Sequence, residues 1–209
     1  MAEPGSETAR TQRIYDRTAG RYDRQIGFFE RVLFEGGREW VCSRAEGDTL
    51  EIAFGTARNL PFYGAGVHLT GVELSPEMVV VAHERQHELG READLRVGDA
   101  QSLEFDDGSF DTVVSTLTLC TIPDPARAVA EAFRVLRPGG RFVLLEHVRS
   151  PVGPVRGVQR VLNPLTVRFE ADHLLRDPLE YLRAVGFEID ELERSKWGIV
   201  ARIAAVKPG

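Results

Sequence analysis

From residue 49 onward the sequence alternates short apolar runs with stretches of helical periodicity, and this alternation restricts the fold more than any other feature. The apolar runs are rich in β-branched residues and bounded by Gly, Asp or Pro, which predicts strands over 49–54, 67–74, 93–99, 110–116, 141–148, 187–195 and 199–207. Helices are predicted over 57–64, 75–90, 124–136 and 177–186. Such a pattern predicts an α/β fold with a mostly parallel sheet covered by helices on both faces.

Two of these helices carry recognisable end signals. Ser75 precedes Pro76 and Glu77, the order expected for an N-cap, a first-turn proline and a first-turn carboxylate, and Gly90 is the stop signal. Asp177 before Pro178 is predicted to cap the start of the last helix in the same way.

Size and charge exclude several classes of protein. A chain of 209 residues with 43% hydrophobic content suits a single domain, here residues 1–209, and its net charge of −6 disfavours nucleic acid as a partner. The start, "MAEPGSETARTQR", lacks the apolar core of a signal peptide, and no apolar run approaches the ~20 residues that span a bilayer. We therefore expect a soluble cytoplasmic protein.

Two segments stand outside the alternation. Residues 7–46 are predicted to be helical, either as simple packing or as a lid over the strand ends, and residues 149–176 form a long, basic, Pro-containing insertion. Cys42 and Cys120 have no paired spacing, so we expect packed thiols and no metal site.

Small and acidic residues follow three successive predicted strands, where parallel sheets bind their ligands. Gly55 follows the first strand, Glu73 ends the second, and Asp99 ends the third. Glu73 could accept hydrogen bonds from ribose hydroxyls or be a solvated charge at a helix start, and Asp99 could contact an adenine amino group or simply cap its strand. Their coincidence at successive strand ends favours a nucleoside cofactor.

The segment 106–148 adds two specific stretches, "FDTVVS" in a strand and "VLRPGGR" as a turn into the next strand. With these the sequence resembles the class I S-adenosylmethionine-dependent methyltransferases over residues 12–207. "STLTLCTIPDP", "LLEHV" and "HLLRDPLEYLRAVGF" resemble the branch with ubiquinone/menaquinone C-methyltransferases, phosphatidylethanolamine N-methyltransferases and alkyl thiol methyltransferases. The resemblance implies a Rossmann-like, doubly wound sheet of seven strands, the last antiparallel, and S-adenosyl-L-methionine as cofactor.

The resemblance also implies which residues contact the cofactor. It assigns Glu73 to the ribose, Thr116 to the methionine moiety, and two tyrosines seven residues apart to a lid. The full set is Tyr15, Tyr22, Glu51, Ala53, Gly55, Glu73, Leu74, Met78, Asp99, Ala100 and Thr116. Leu74 and Met78 belong against the adenine, with Asp99 and Ala100 at its edge.

The cofactor loop departs from the family pattern. That pattern reads E-x-G-x-G-T-G, and here Ala53 and Ala57 replace its first and third glycines, so that only Gly55 and Thr56 remain. Alanine is harmless where φ is negative but costs about 1 kcal/mol or more in a left-handed conformation. Since S-adenosylmethionine has no phosphate to wrap, we expect Gly55 to approach the cofactor most closely and the two alanines to be tolerated.

Methyl transfer needs a general base only where the acceptor must lose a proton, as a thiol, a phenol or a carbon acid does. His147 after the fifth strand and His173 in the insertion are the candidates, while His68, His83 and His87 are expected to be solvated. The acceptor is a small molecule or is lipid-like. Residues 149–176 are expected to form a wall of the acceptor pocket rather than to make weak contact with a membrane surface. The protein could also form a homodimer, and the sequence does not decide this.

Two other classes of function remain. A nicotinamide-dependent reductase could also use a glycine turn and a strand-end acid, although G-x-G-x-x-G is missing. A non-catalytic relative could keep the fold and use the altered loop for protein contacts.

Overall fold

The computed structural model describes residues 5–209, and a single seven-stranded sheet runs through it. The strands are β1 (Gly47–Ile52), β2 (Val67–Glu73), β3 (Asp94–Val97), β4 (Phe110–Thr116), β5 (Leu136–His147), β6 (Glu188–Ser195) and β7 (Val200–Val206), in the order β3-β2-β1-β4-β5-β7-β6. The first five strands pair in parallel, whereas β7 lies between β5 and β6 and is antiparallel to both. All seven predicted strands and the antiparallel last strand are confirmed.

Six α-helices accompany the sheet: α1 (Glu7–Leu33), α2 (Gly37–Cys42), α3 (Pro76–Leu89), α4 (Pro125–Val135), α5 (Gly153–Glu170) and α6 (Pro178–Val185). The predicted caps are confirmed, because the Ser75 side chain accepts from the Met78 amide and the Asp177 side chain from the Leu179 amide. Gly90 ends α3 in the left-handed conformation. None of the helices in residues 5–209 is long and apolar enough to cross a membrane.

One helix prediction was wrong, and one helix was not predicted. Residues 57–64 form turns and a short 3-10 helix, Leu60–Phe62, because Ala57 is left-handed and Pro61 and Gly64 interrupt the segment. Conversely, 18 residues of the insertion 149–176 form α5, although Gly157 and Pro164 lie inside it and no helix was predicted there.

The core lies on both faces of the sheet because successive strand side chains point to opposite sides. On one face Leu144 and Ile203 pack with α4 and α6, and on the other Val143 and Leu145 pack with α2 and α3. Cys42 and Cys120 are buried free thiols, as expected.

Candidate cofactor cleft and acceptor side

A cleft opens at the carboxyl ends of β1 to β4, beside the point between β1 and β4 where the strand order changes direction. The space between its walls is about 810 Å³, which includes open solvent at the mouth. All eleven residues expected at the cofactor line it: Tyr15, Tyr22, Glu51, Ala53, Gly55, Glu73, Leu74, Met78, Asp99, Ala100 and Thr116. Positions scattered over 102 residues of sequence therefore meet in one place.

The loop after β1 contains three left-handed residues at alternate positions. Ala53, Gly55 and Ala57 have φ values of 49°, 60° and 57°. The alanines therefore do not keep the negative φ that would make them harmless, so each retains the glycine-type conformation of the pattern together with the strain of a Cβ. At Gly71 of β2, an added Cβ would lie 2.5 Å from the ring of Phe54, so only glycine lets that ring pack beneath the loop.

Glu73 ties the ends of two strands together. One of its carboxylate oxygens accepts from the Gly55 amide and the other from the Ser75 amide, each at 2.9 Å. The side chain is buried, and burial raises its pKa despite these hydrogen bonds. Because each carboxylate oxygen has two lone pairs, Glu73 can hold the loop and still accept from a ligand.

Glu51 is a second buried carboxylate in the cleft. Its oxygens accept from Asn59 Nδ2 and from the Tyr63 hydroxyl, both at 2.8 Å. Burial raises the pKa of Glu51 to about 7, while Tyr63, Arg38 and Asn59 act against that shift. A carboxyl group with such a pKa is poised to ionise when a cation approaches it.

Asn59 and Arg38 were missed by the sequence reasoning. Asn59 also donates to Thr116 Oγ1 at 2.9 Å, and Arg38 donates to Asn59 Oδ1 at 2.8 Å. These two residues connect the ends of β1 and β4 in the cleft. Only the three-dimensional structure reveals this connection.

At the end of β3, Asp99 faces Gln101. The Asp99 carboxylate accepts from the Gln101 amide and side chain at 2.9 Å, and Gln101 Oε1 accepts from the Asp124 amide at 2.8 Å. Gln101 also lines the cleft and was not predicted. It fixes the orientation of Asp99 and joins it to the start of α4.

Helix α1 lies over the cleft. The rings of Tyr15 and Tyr22 pack edge to face with centroids 6.3 Å apart, and burial raises the pKa of both hydroxyls. Asp16 accepts from Ser75 Oγ at the start of α3, and Asp23 accepts from Thr56 Oγ1 of the cofactor loop at 2.6 Å. The helix is thus attached to two of the elements that form the cleft.

The loop after β4 is held by Glu146, another residue that was missed. This fully buried carboxylate accepts from Ser115 Oγ and from the amides of Thr118 and Leu119, at 2.9 to 3.1 Å. Within this loop Leu117 has φ of 57°, a strained conformation for a non-glycine residue, and it lines the cleft.

The two predicted histidines lie outside the lining of the cleft. His147 Nε2 is 2.7 Å from Asp172 Oδ1. A ring nitrogen of His147 and a carboxylate oxygen of Asp172 both lie within 4.8 Å of Cys120 Sγ. Burial lowers the pKa of His147, but the hydrogen bond and charge of Asp172 outweigh burial and raise the pKa above its ordinary value. Among residues 5–209, His147 Nδ1 finds no hydrogen-bond partner.

This His147–Asp172 pair lies beside Cys120, whose sequence neighbour Thr121 lines the cleft. His173 donates its amide to the Cys120 carbonyl at 2.9 Å, and burial lowers the pKa of its imidazole.

The charges of the cleft disfavour a phosphate ligand. Glu51, Glu73 and Asp99 line it, whereas the lining cations in the described part of the chain, Arg38 and Arg58, are both paired with Glu30. Pyrophosphate sites use free amides at a helix N-terminus, but here turns follow the loop and the Gly55 amide is bonded to Glu73. Three carboxylates fit a ligand with a sulfonium and an ammonium group.

The family model described as "Methyltransferase domain" matches residues 50–144. A phosphatidylethanolamine N-methyltransferase of Cereibacter sphaeroides is 40% identical over 59% of this chain, and the match spans 60% of that relative's length, less than two thirds. A thiol S-methyltransferase of Homo sapiens is 30% identical over 79% of this chain and 70% of its own length. The chain belongs to the class I S-adenosylmethionine-dependent methyltransferase family.

The solved structures agree on the fold. A crystal structure described as an S-adenosylmethionine-dependent methyltransferase of Thermotoga maritima, "possible histamine N-methyltransferase", superposes with a TM-score of 0.72. It is 23% identical and covers 93% of this chain and 99% of its own.

Proposed function

We propose that this protein transfers the methyl group of S-adenosyl-L-methionine to a small or lipophilic acceptor, which is a thiol, a quinone or phenol, or an amine headgroup. The observation that carries the proposal is the convergence of eleven residues, from strand ends, α1 and the first turn of α3, on one acidic cleft in a chain of this family. The cofactor, when bound, supplies a methyl group on a positively charged sulfur.

The chain's own residues bind and orient that cofactor. Glu73 accepts from the ribose hydroxyls, Leu74 and Met78 pack against the adenine, and Asp99 and Ala100 meet its edge. Thr116 and Glu51 lie at the methionine end, where an ionised Glu51 pairs with the ammonium group. Support for this comes from the burial of Glu51 and Glu73 and from the apolar Met78 in the same lining, which is 1% exposed.

Helix α1, within residues 7–46, covers this site as a lid. Tyr15 and Tyr22 exclude water from it, and desolvation strengthens each charged contact. The attachments of Asp16 and Asp23 to Ser75 and Thr56 support the lid role. Positioning of two reactants in such a site can recover roughly 7 to 11 kcal/mol of the barrier.

On the acceptor side, His147 takes the proton that a thiol or phenol loses. Asp172 accepts from Nε2 and stabilises the charged ring, which leaves Nδ1 as the atom that takes a proton. His173, with its lowered pKa, is uncharged near neutral pH. It is a second group in the segment 149–176 that can take up a proton. An amine acceptor uses the same site without this step.

Turnover with radiolabelled S-adenosylmethionine on a panel of thiols, phenols and amines tests the proposal. We expect His147→Ala to lose turnover on thiols and phenols while it still binds S-adenosylhomocysteine, and His83→Ala on the exposed surface of α3 to behave as wild type. Asp172→Asn should move the acidic limb of the kcat/KM profile to lower pH, because the carboxylate no longer raises the pKa of His147. Full thiol turnover by His147→Ala would remove the base role.

The charge balance of the cleft favours this function over a nicotinamide-dependent reductase. A dinucleotide would bring two phosphates next to three carboxylates, with both lining arginines already paired. Binding of NADH in preference to S-adenosylhomocysteine would contradict the proposal.

A further inference from the structure

Helix α5 has the opposite orientation to that of an ordinary surface helix. Its exposed side carries Val158, Val161, Leu165 and Phe169, which are 60%, 75%, 55% and 66% exposed. Its inner side is polar, because the buried Gln159 donates to the carbonyls of Val148 and Leu174 at 2.9 and 3.1 Å. A surface helix normally buries its apolar face, so the exposed face of α5 lacks its partner.

The exposed apolar residues form one continuous stripe. Val158, Val161, Leu162, Leu165 and Phe169 follow the spacing of three and four residues that places side chains on one helix face. These five side chains therefore do not form the apolar pocket wall expected for the segment from the sequence, since they point away from the protein.

Trp197 lies next to the segment that leads into α5. Ser150 Oγ donates to the Trp197 carbonyl at 2.6 Å, and the neighbouring Gly198 packs against Pro151, so the tip of this turn lies beside the residues that precede Gly153, the first residue of the helix. The indole is 71% exposed, and Trp197 and Lys196 have φ of 57° and 50°. A strained backbone that presents a bulky aromatic side chain to solvent is typical of a binding feature.

The surface around the stripe is basic although the whole chain has a charge of −6. Arg156, Arg160 and Arg168 lie on α5 with one acidic residue, Glu170, and Lys196 adjoins Trp197. Within residues 5–209 none of these four cations forms an ion pair with a carboxylate. A second copy of the chain would bring like charges together, whereas acidic headgroups would neutralise them.

We propose that α5 and Trp197 dock on the surface of a lipid bilayer that carries anionic headgroups. The apolar stripe enters the boundary between headgroups and acyl chains, Trp197 anchors at the same level, and the arginines and Lys196 contact the headgroups.

The docked helix would also bring the acceptor side to the membrane. Ala171 ends α5 in the left-handed conformation, and Asp172, the partner of His147, follows directly. Arg10 of α1 donates to the carbonyls of Val167 and Arg168, both at 2.7 Å, so the lid helix is attached to the same end of α5. This link to acceptor supply rests on the proposed function, whereas docking itself does not.

Flotation with vesicles tests docking without cofactor or acceptor. We expect the wild-type chain to float with phosphatidylcholine vesicles that contain phosphatidylglycerol, and to float less with phosphatidylcholine alone or at high salt. Val158→Asp with Val161→Asp should reduce partitioning by at least about tenfold, and Arg156→Gln with Arg160→Gln and Arg168→Gln by about a hundredfold. The matched control Val80→Asp, at an exposed valine of α3, should float as wild type does.

Tryptophan emission gives a second readout. Trp40→Phe leaves Trp197 as the single tryptophan, and its emission should shift to the blue with acidic vesicles. Each variant is first checked for an unchanged circular dichroism spectrum and unchanged binding of S-adenosylhomocysteine. Absence of flotation by the wild type, equal loss in Val80→Asp, or a dimer in solution that only the α5 variants dissociate would overturn the proposal. None of these results would bear on the assignment of the cofactor cleft.

Discussion

Ala53→Gly is expected to stabilise the folded chain, the opposite of what a glycine substitution usually does. Ala53 has φ of 49°, and a left-handed alanine costs about 1–2 kcal/mol. Glycine removes that cost but makes the unfolded chain more flexible, which offsets about 0.4–1 kcal/mol. The net gain is roughly 0.5–1 kcal/mol, or a melting temperature about 1–4 °C higher for a chain of this size.

Urea and thermal unfolding measure this gain, and Ala130→Gly provides the control. Ala130 is exposed in the middle of α4, where glycine should cost about 1 kcal/mol, so the two substitutions should move stability in opposite directions. Calorimetry should show that Ala53→Gly binds S-adenosylhomocysteine as wild type does. If Ala53→Gly destabilised the chain as much as Ala130→Gly does, the assignment of strain to the loop would be refuted.

Three further predictions concern the cleft. Gly55→Val should abolish cofactor binding, because valine at φ of 60° cannot keep the loop in place, and calorimetry checks this. Glu73→Ala should weaken binding by about 1–3 kcal/mol, the scale of a lost charged hydrogen bond, and an unchanged affinity would remove Glu73 from the ribose role. Because burial raises the pKa of Glu51 to about 7 and the bound ammonium favours its ionised form, affinity should increase up to about tenfold per pH unit below 7 and level off above it. Glu51→Gln should flatten this profile. If the affinity of the wild-type chain did not change between pH 5.5 and pH 8, the role of Glu51 would be contradicted.

The strands and the cleft could be predicted because their signals are local. Each strand is an apolar run between breakers, and each predicted cofactor residue after β1, β2 and β3 lies within a few residues of a strand end. Since the carboxyl ends of parallel strands meet at one edge, a position in the sequence is enough to bring Gly55, Glu73 and Asp99 together.

What could not be predicted depends on contacts between distant segments or on an inverted pattern. Asp172 lies 25 residues after His147, and Asn59 reaches Thr116 across 57 residues, so no spacing reveals either pair. Helix α5 was missed because Gly157 and Pro164 weaken its helical signal. Its apolar stripe faces solvent, so a rule that directs apolar residues inward gives the wrong side.

Isothermal titration of the wild-type chain with S-adenosylhomocysteine, S-adenosylmethionine and NADH, each in turn, tests the central claim most directly. The acidic cleft predicts one site per chain for both sulfur nucleosides and no heat with NADH. If neither sulfur nucleoside gave a binding heat, or if only NADH bound, the assignment of the cleft to S-adenosylmethionine would be contradicted.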